Sequence, residues 1–168
     1  MIALATMAQR PSTAAPPIEI IAEELGYYPV STSPSGPITY SPARMKNQST
    51  DQAVALAEHL RKKSAIFFGA YWCPHCMNQR AYFGGEALGK LRYVECASGG
   101  LDYDKKMCDK FKINETGFPT WRIDGKMYPG EMNLAKLAEL SGFPVPFDAK
   151  LEEENERMII NSSGSCKM

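Results

Sequence analysis

The chain lacks a charge excess of either sign: 19 basic and 19 acidic residues give a net charge of zero. Without a surplus or a stripe of Lys and Arg there is nothing to neutralise a phosphate backbone, so nucleic-acid binding is excluded. Long hydrophobic runs are also missing. The longest nearly uncharged apolar stretch, Ala65 to Cys76, falls well short of the roughly 20 residues that a bilayer-spanning helix needs. No internal repeat is visible. Cysteines number five, too few for a disulfide-knit miniprotein and many for a cytosolic chain of this size. What is present, 168 residues of which 44% are hydrophobic, fits one soluble globular domain with tails.

Proline is unevenly spread. Pro11, Pro16, Pro17, Pro29, Pro34, Pro37 and Pro42 crowd the first quarter of the chain, so residues 1–48 read as a proline-rich linker or targeting segment with little packed structure. Its apolar start, Met1 to Ala8, fits an organelle-targeting peptide, the stub of a membrane helix or an unstructured terminus. Residues 18–25 can make a short helix closed by Gly26 and Pro29. Order is expected from Ser49, whose capping box with Gln52 opens a helix over about 50–62. Ala65 to Ala70 is a short continuous apolar run of the kind that forms a central strand covered on both faces. A helix through Leu88, loosened at Gly84-Gly85, and a strand over 91–96 follow, an order that predicts a parallel pair. Tyr103, Met107 and Phe111 mark a short helix, and Thr120 to Tyr128 a hairpin around Asp124-Gly125. Asn133 to Leu140 reads as a last helix stopped by Gly142. The expected organisation is an α/β domain over 49–148 and an acidic, then Ser/Gly-rich, flexible tail over 149–168.

The central strand runs directly into Trp72-Cys73-Pro74-His75-Cys76. Two cysteines separated by two residues serve zinc and redox chemistry alike, and context separates the two. Here the first cysteine follows a buried strand and opens a helix, which sets its sulfur at the positive end of the helix dipole beside unpaired N–H groups. Pro74 suits the first turn, and a His75 imidazolium would add positive charge near Cys73. The helix terminus and the histidine charge both favour thiolate. If the Cys73 pKa fell to about 5, the reduced form would gain roughly 2.7 kcal/mol at pH 7, making the pair some 60 mV more oxidising. Cys73 is therefore expected to be the exposed nucleophile, with Cys76 drawn under the helix to resolve mixed disulfides. A zinc set of Cys73, Cys76, Cys96 and Cys108 has eleven residues between its second pair instead of a tight knuckle. A structural Cys73–Cys76 disulfide would close almost no loop. In Thr116-Gly117-Phe118-Pro119-Thr120-Trp121, the proline just before a strand is expected to be cis and to face the cysteine pair.

These features resemble the thioredoxin superfamily. The finer match, through Gly69-Ala70-Tyr71-Trp72-Cys73-Pro74-His75-Cys76, Tyr93-Val94-Glu95-Cys96, Gly117-Phe118-Pro119-Thr120-Trp121, Gly130-Glu131 and Leu137-Ala138-Glu139-Leu140-Ser141-Gly142-Phe143, is similar to the thioredoxin-like domain fused to vitamin K epoxide reductase homologues of cyanobacteria and plants, the lumen thiol oxidoreductase type. The resemblance covers about residues 49–146. It implies a thioredoxin-like fold: a central mixed sheet with a C-terminal β-hairpin and flanking helices. It also implies Cys73, Cys76, His75 and Pro119 as the redox centre and a structural disulfide between Cys96 and Cys108. Two buried free thiols are the alternative for that last pair. A bridge over about a dozen residues would be worth roughly 3 kcal/mol and would persist only in an oxidising compartment. In the family the disulfide passes to client proteins, and a quinone-linked, membrane-embedded four-helix domain restores it. This chain does not carry that domain. Quinone is accordingly expected only through a membrane partner, in trans or in a longer chain, with no cofactor or metal on the chain itself, which is read as a monomer. The implied location is an oxidising compartment: the chloroplast thylakoid lumen, free or membrane-associated, or, in a bacterium, the periplasm.

Trp72, Phe118 and Trp121 are expected to form a shallow apolar rim for client peptides. His59 beside the apolar stripe of the first helix is given no chemistry, Cys166 reads as an incidental thiol, and the Asn-x-Ser/Thr triplets at Asn47, Asn114 and Asn161 are not read as glycosylated. Two other functions stay open: a disulfide reductase or isomerase using the same cysteines in the opposite direction, and a redox-silent or zinc-stabilised binding module.

Overall fold

Ile66, Phe67, Phe68 and Gly69 are all buried, as a strand with helices on both sides must be. In the computed structural model, which describes residues 25–31, 35–148, 150–151, 153–154 and 157, they form the strand next to which the rest is arranged. The order is β1 (Tyr27–Ser31), β2 (Ile38–Pro42), α1 (Asp51–Lys62), β3 (Ile66–Gly69), α2 (Pro74–Leu88), β4 (Tyr93–Glu95), α3 (Lys105–Lys110), α4 (Ile113–Thr116), β5 (Thr120–Ile123), β6 (Lys126–Pro129) and α5 (Leu134–Ser141). The main sheet runs β4-β3-β5-β6. β3 is parallel to β4 and antiparallel to β5, and β5 turns back into β6. This mixed sheet with flanking helices is the thioredoxin-like fold expected from the sequence.

Alternation along β3 divides the core in two. Phe67 points to the face covered by α1, α2 and α5, where it joins Leu56, Phe83 and Leu137. Phe68 points to the opposite face, with Val94 and Ile113. Trp121 lies opposite Phe67 in the ladder and stacks on it, ring centroids 4.9 Å apart. With only 1% of its surface exposed, Trp121 is a core residue, which corrects its assignment to a client-binding rim. An indole at the register position of a doubly covered strand has nowhere to go but inward.

Local signals set most boundaries. Asp124 and Gly125 both adopt positive φ, the geometry of a tight hairpin turn, and Gly142 caps α5 in the left-handed region. Thr50, not Ser49, caps α1 by accepting from the Ala53 N–H at 3.1 Å. The Ser49 hydroxyl accepts instead from the Ala87 N–H at 2.9 Å. That contact belongs to a larger departure from expectation. Residues 35–48, together with 25–31, are packed and are no linker: β1 and β2 form an antiparallel pair, and the chain then follows α2. Asn47 donates its Nδ2 to the Ala81 carbonyl at 2.7 Å. Its own carbonyl accepts from the Gly85 N–H. Gly84, at φ 74°, is where α2 kinks, and a Cβ there would sit 2.8 Å from the Gln48 carbonyl oxygen and the Ser49 nitrogen. Prolines misled the sequence reading because a two-stranded hairpin tolerates them, Pro29 within β1 and Pro42 at the end of β2.

The expectations for Met1–Ala8, residues 18–24, Asn161 and Cys166 lie outside the described residues. In the tail expected to be flexible, Lys150, Leu151, Glu153, Glu154 and Arg157 are helical. No helix among the described residues is long and apolar enough to cross a membrane.

Cys96, just past β4, is disulfide-bonded to Cys108 on α3, with Cα atoms 5.7 Å apart. Replacing both cysteines by Ala is expected to cost about 3 kcal/mol by the loop-closure estimate, measured as a lower denaturation midpoint, with thiol exchange at Cys73 and Cys76 largely retained. Loss of exchange without loss of stability would make the bridge part of the chemistry.

Candidate active site

β3 ends at Gly69, and four residues later Cys73 caps α2 with extended backbone, φ −80° and ψ 118°. A helix start leaves its first N–H groups without partners. At this one the partner is sulfur: Cys73 Sγ accepts from the Cys76 N–H at 3.4 Å. Pro74 occupies the first helical position, where its missing N–H removes no bond. Both cysteines are free thiols. Cys73 is 4% exposed and Cys76 1%, so the expected exposed sulfur is in fact set just beneath the surface, opposite the cis Phe118–Pro119 bond. Its sulfur lies 3.8 Å from the Phe118 carbonyl oxygen.

The two identical side chains are driven apart in acidity. The Cys73 pKa falls to about 6: the Cys76 thiol hydrogen bond lowers it most, burial opposes, and then the Cys76 and His75 N–H groups and the His75 charge lower it further. Cys76 is pushed well above the ordinary thiol range, first by donating that hydrogen bond to Cys73 and then by burial, with the Cys73 and Glu95 charges adding to the effect. A thiol at about 6 stabilises the dithiol form at pH 7 by about 1.4 kcal/mol, or ~30 mV, less whatever solvent at the mouth of the site screens. That is half the poise supposed from sequence.

His75 accounts for part of the difference. Its ring is paired with a carboxylate. Nδ1 lies 2.8 Å from Glu131 Oε2, and the side chain is 67% exposed. Glu131 also accepts from Asn78 Nδ2 at 3.3 Å and from the Tyr82 hydroxyl at 2.6 Å, so one carboxylate collects three side chains along one face of α2. The imidazole is thereby turned toward a counter-charge. Its influence on Cys73 comes last, behind that of the helix N–H groups.

Pro119 is held from behind. Its carbonyl accepts from the Gly130 N–H at 2.8 Å. Gln79, fully buried on α2, bolts the adjoining segment in place by donating to the Met132 carbonyl at 2.8 Å while accepting from the Met132 N–H at 2.9 Å and from Trp121 Nε1 at 3.2 Å. Trp72, 50% exposed, meets Phe118 edge to face at 5.9 Å. Beside them a shallow cleft of about 250 Å³ reaches Ser98, Tyr103 and Asn114. His59, with its Nε2 2.9 Å from the Ser141 carbonyl oxygen, is a structural residue.

A buried acid behind the pair escaped the sequence reading. Glu95 is 3% exposed. It accepts from the Tyr71 N–H at 3.2 Å, the Ala97 N–H at 2.9 Å and the Tyr93 hydroxyl at 2.7 Å, and burial raises its pKa above the usual carboxylate value. Arg80 lies over the Tyr93 ring at 5.5 Å. A polar residue at an inward strand position just before Cys96 was the available signal. The zinc alternative loses two of its four ligands to the Cys96–Cys108 bond, and no cluster of three or more metal-binding side chains occurs among the described residues.

The chain is 39% identical over 122 residues, 71% of its length, to the thiol-disulfide oxidoreductase LTO1 of Arabidopsis thaliana. It is similar to a thiol-disulfide oxidoreductase. It spans 30% of that protein's length. No family model matches the chain.

The acidity split fixes how the reduction potential should depend on pH. Below pH 6 two electrons carry two protons and the potential falls by about 59 mV per pH unit. Above 6, where Cys73 is already ionised in the dithiol form, the slope should halve to about 30 mV per unit and stay there through the neutral range. A slope that holds its full value to pH 8 would place Cys73 in the ordinary thiol range. For His75→Ala the expected change is small, under about 20 mV toward a more reducing pair, because an exposed and already paired charge is worth about 1 kcal/mol or less. A shift several times larger, measured against a glutathione series, would give His75 the main role.

Proposed function

We propose that this chain is a protein thiol-disulfide oxidoreductase that hands a Cys73–Cys76 disulfide to folding proteins. The observation that carries the reading is Cys73 at the N-terminus of α2, its pKa lowered to about 6 beside a partner whose own is raised. In that exchange a client thiolate attacks Cys73 Sγ and the Cys73–Cys76 bond breaks. Cys76 leaves and takes a proton, and a mixed disulfide joins the client to Cys73. The client's second thiolate then attacks its own sulfur in that bond and expels Cys73. A thiol of low pKa is a good leaving group, so the second step favours release of oxidised client. The client gains one disulfide, and the cysteine pair keeps two electrons, with one proton on Cys76 and Cys73 left as thiolate at neutral pH.

The reverse path restores the disulfide. Cys76 must then lose its proton to attack the mixed disulfide at Cys73, and Glu95 is the carboxyl on the side of Cys76 that can take it. The surface we assign to clients is Trp72, Phe118 and the neighbouring cleft, with the exposed edge of Trp72 as its apolar contact. We further assign the reoxidising step to a quinone-linked membrane partner of the vitamin K epoxide reductase type, supplied in trans or by a longer polypeptide. The chain itself would then bind no quinone. An oxidising compartment, such as the thylakoid lumen or a periplasm, suits both the Cys96–Cys108 bond and this electron flow.

The direct test is trapping. Cys76→Ser should accumulate mixed disulfides between Cys73 and client proteins, seen as reductant-sensitive adducts, and Cys73→Ser should accumulate none. Trapping by Cys73→Ser alone would reverse the roles, and trapping by neither would leave a redox-silent module. The partner is tested by adding oxidised membranes of the source to the reduced protein. Alkylation should show Cys73–Cys76 reforming faster than in air and faster still with added quinone. Reoxidation no faster than in air would remove the membrane partner from the account.

A further inference from the structure

The β1–β2 hairpin stands outside the main sheet, yet several of its contacts lead to the group behind Cys76. The Tyr40 N–H donates to the Gly99 carbonyl at 2.8 Å, and the Tyr40 carbonyl accepts from the Leu101 N–H at 2.7 Å, which pins the loop that follows Cys96. Gly100 in that loop rests on Glu95: a Cβ there would fall 2.4 Å from Glu95 Cγ. The rings of Tyr27 and Tyr40 lie 5.1 and 5.2 Å from the ring of Tyr71, whose N–H is one of the donors to Glu95. Gly26, just ahead of β1, is pressed against the Met77 side chain, next to Cys76. The charged and titratable groups facing Glu95 are Tyr93 from β4, Arg80 and Cys76 from α2, and Tyr71 after β3. From the hairpin, Tyr28 is among the groups that act on Arg80.

We propose that Tyr27 and Tyr40 are positioning residues of the redox centre: the hairpin keeps water from the Glu95 carboxyl and so preserves it as the base for Cys76. The inference rests on the thiol–disulfide reading above. In the step concerned, Cys76 sulfur forms a bond to Cys73 Sγ, the bond from Cys73 to the client breaks, and the client sulfur leaves with the electron pair. The Cys76 proton goes to the Glu95 carboxylate, which releases it when the client thiolate or solvent takes it. A carboxylate kept from water by its surroundings is a stronger base than a hydrated one, and proton transfer quickens as base strength approaches the working pH. Letting water in should weaken the base and slow the step. It should do so without touching Cys73.

The experiment uses the full chain with Tyr27→Ala and Tyr40→Ala and takes two readings. The first is the pH midpoint of the Glu95 carboxyl, followed by carbon NMR of glutamate-labelled protein and assigned with Glu95→Gln. The second is the rate at which a glutathione adduct on Cys73 is resolved by Cys76. The midpoint is expected to fall toward the ordinary carboxylate range, and resolution at pH 7 to slow by about fivefold. Glu95→Gln should slow it as well, and adding Tyr40→Ala to that variant should slow it no further. A hairpin that only holds the fold together would lower the melting temperature and leave both readings at the wild-type value, which would overturn the proposal. If Tyr40→Ala does not fold, Tyr27→Leu, which leaves the Tyr40 backbone bonds intact, reports the same two quantities. Failure of a Cys73 adduct to form in the wild type would count against the functional reading instead, while the Glu95 midpoint would still judge the hairpin.

Discussion

Two cysteines of identical chemistry differ in acidity here because one of them sits where a helix has N–H groups to give. α2 begins at Pro74, and the sulfur of Cys73 takes the place that a Ser or Asp oxygen fills at other helix starts. Three residues later the chain has turned once, and Cys76 is beneath the first turn, donating to the same sulfur. Negative charge is thus welcome at one position and opposed at the other. Much of the remaining fold serves to keep that helix start where it is. β3 delivers it from a strand buried on both faces, and Gln79 ties the middle of α2 to the segment after β6, which in turn holds Pro119 against the pair.

The same arrangement carries a cost. Glu95 and Arg80 are largely withdrawn from water behind the cysteines, and burial works against the charged form of each. Such groups persist only where the surroundings supply donors and rings, and here Tyr71, Ala97 and Tyr93 supply them. The disulfide from Cys96 to Cys108 closes the loop that passes over Glu95, and the hairpin closes it from the other side through Tyr40. The contacts that hold this loop in place are therefore the ones that surround Glu95.

The elements from α1 to α5 were legible in the sequence because their signals are local or periodic. The unbroken apolar run at β3, the Asp124-Gly125 turn, Asn133 and Gly142 around α5, and the proline inside the first turn of α2 each state their own conformation. Signals that depend on distant partners were not legible. Proline density concealed the hairpin, whose rings pack on Tyr71, a residue far along the chain. Trp121 looked like a rim residue because of its place beside Pro119, and only the register with Phe67 shows that it points inward. His75 was given a share of the acidity of Cys73 by adjacency, and its pairing with Glu131, distant in sequence, could not be read from its neighbours. Glu95 and Gln79 are single polar residues in apolar surroundings: their positions signal burial, but not the distant partners that make the network.

The central claim is the separation of acidity between Cys73 and Cys76, and thiolate absorbance of the reduced protein measures it most directly. Titrated from acid to alkali in the ultraviolet, the protein should gain one thiolate equivalent around pH 6 and no second one until well beyond the ordinary thiol range. The first step should vanish in Cys73→Ser. Two equivalents appearing together between pH 8 and 9 would show that the helix terminus does not distinguish the sulfurs, and the account would fail at its starting point.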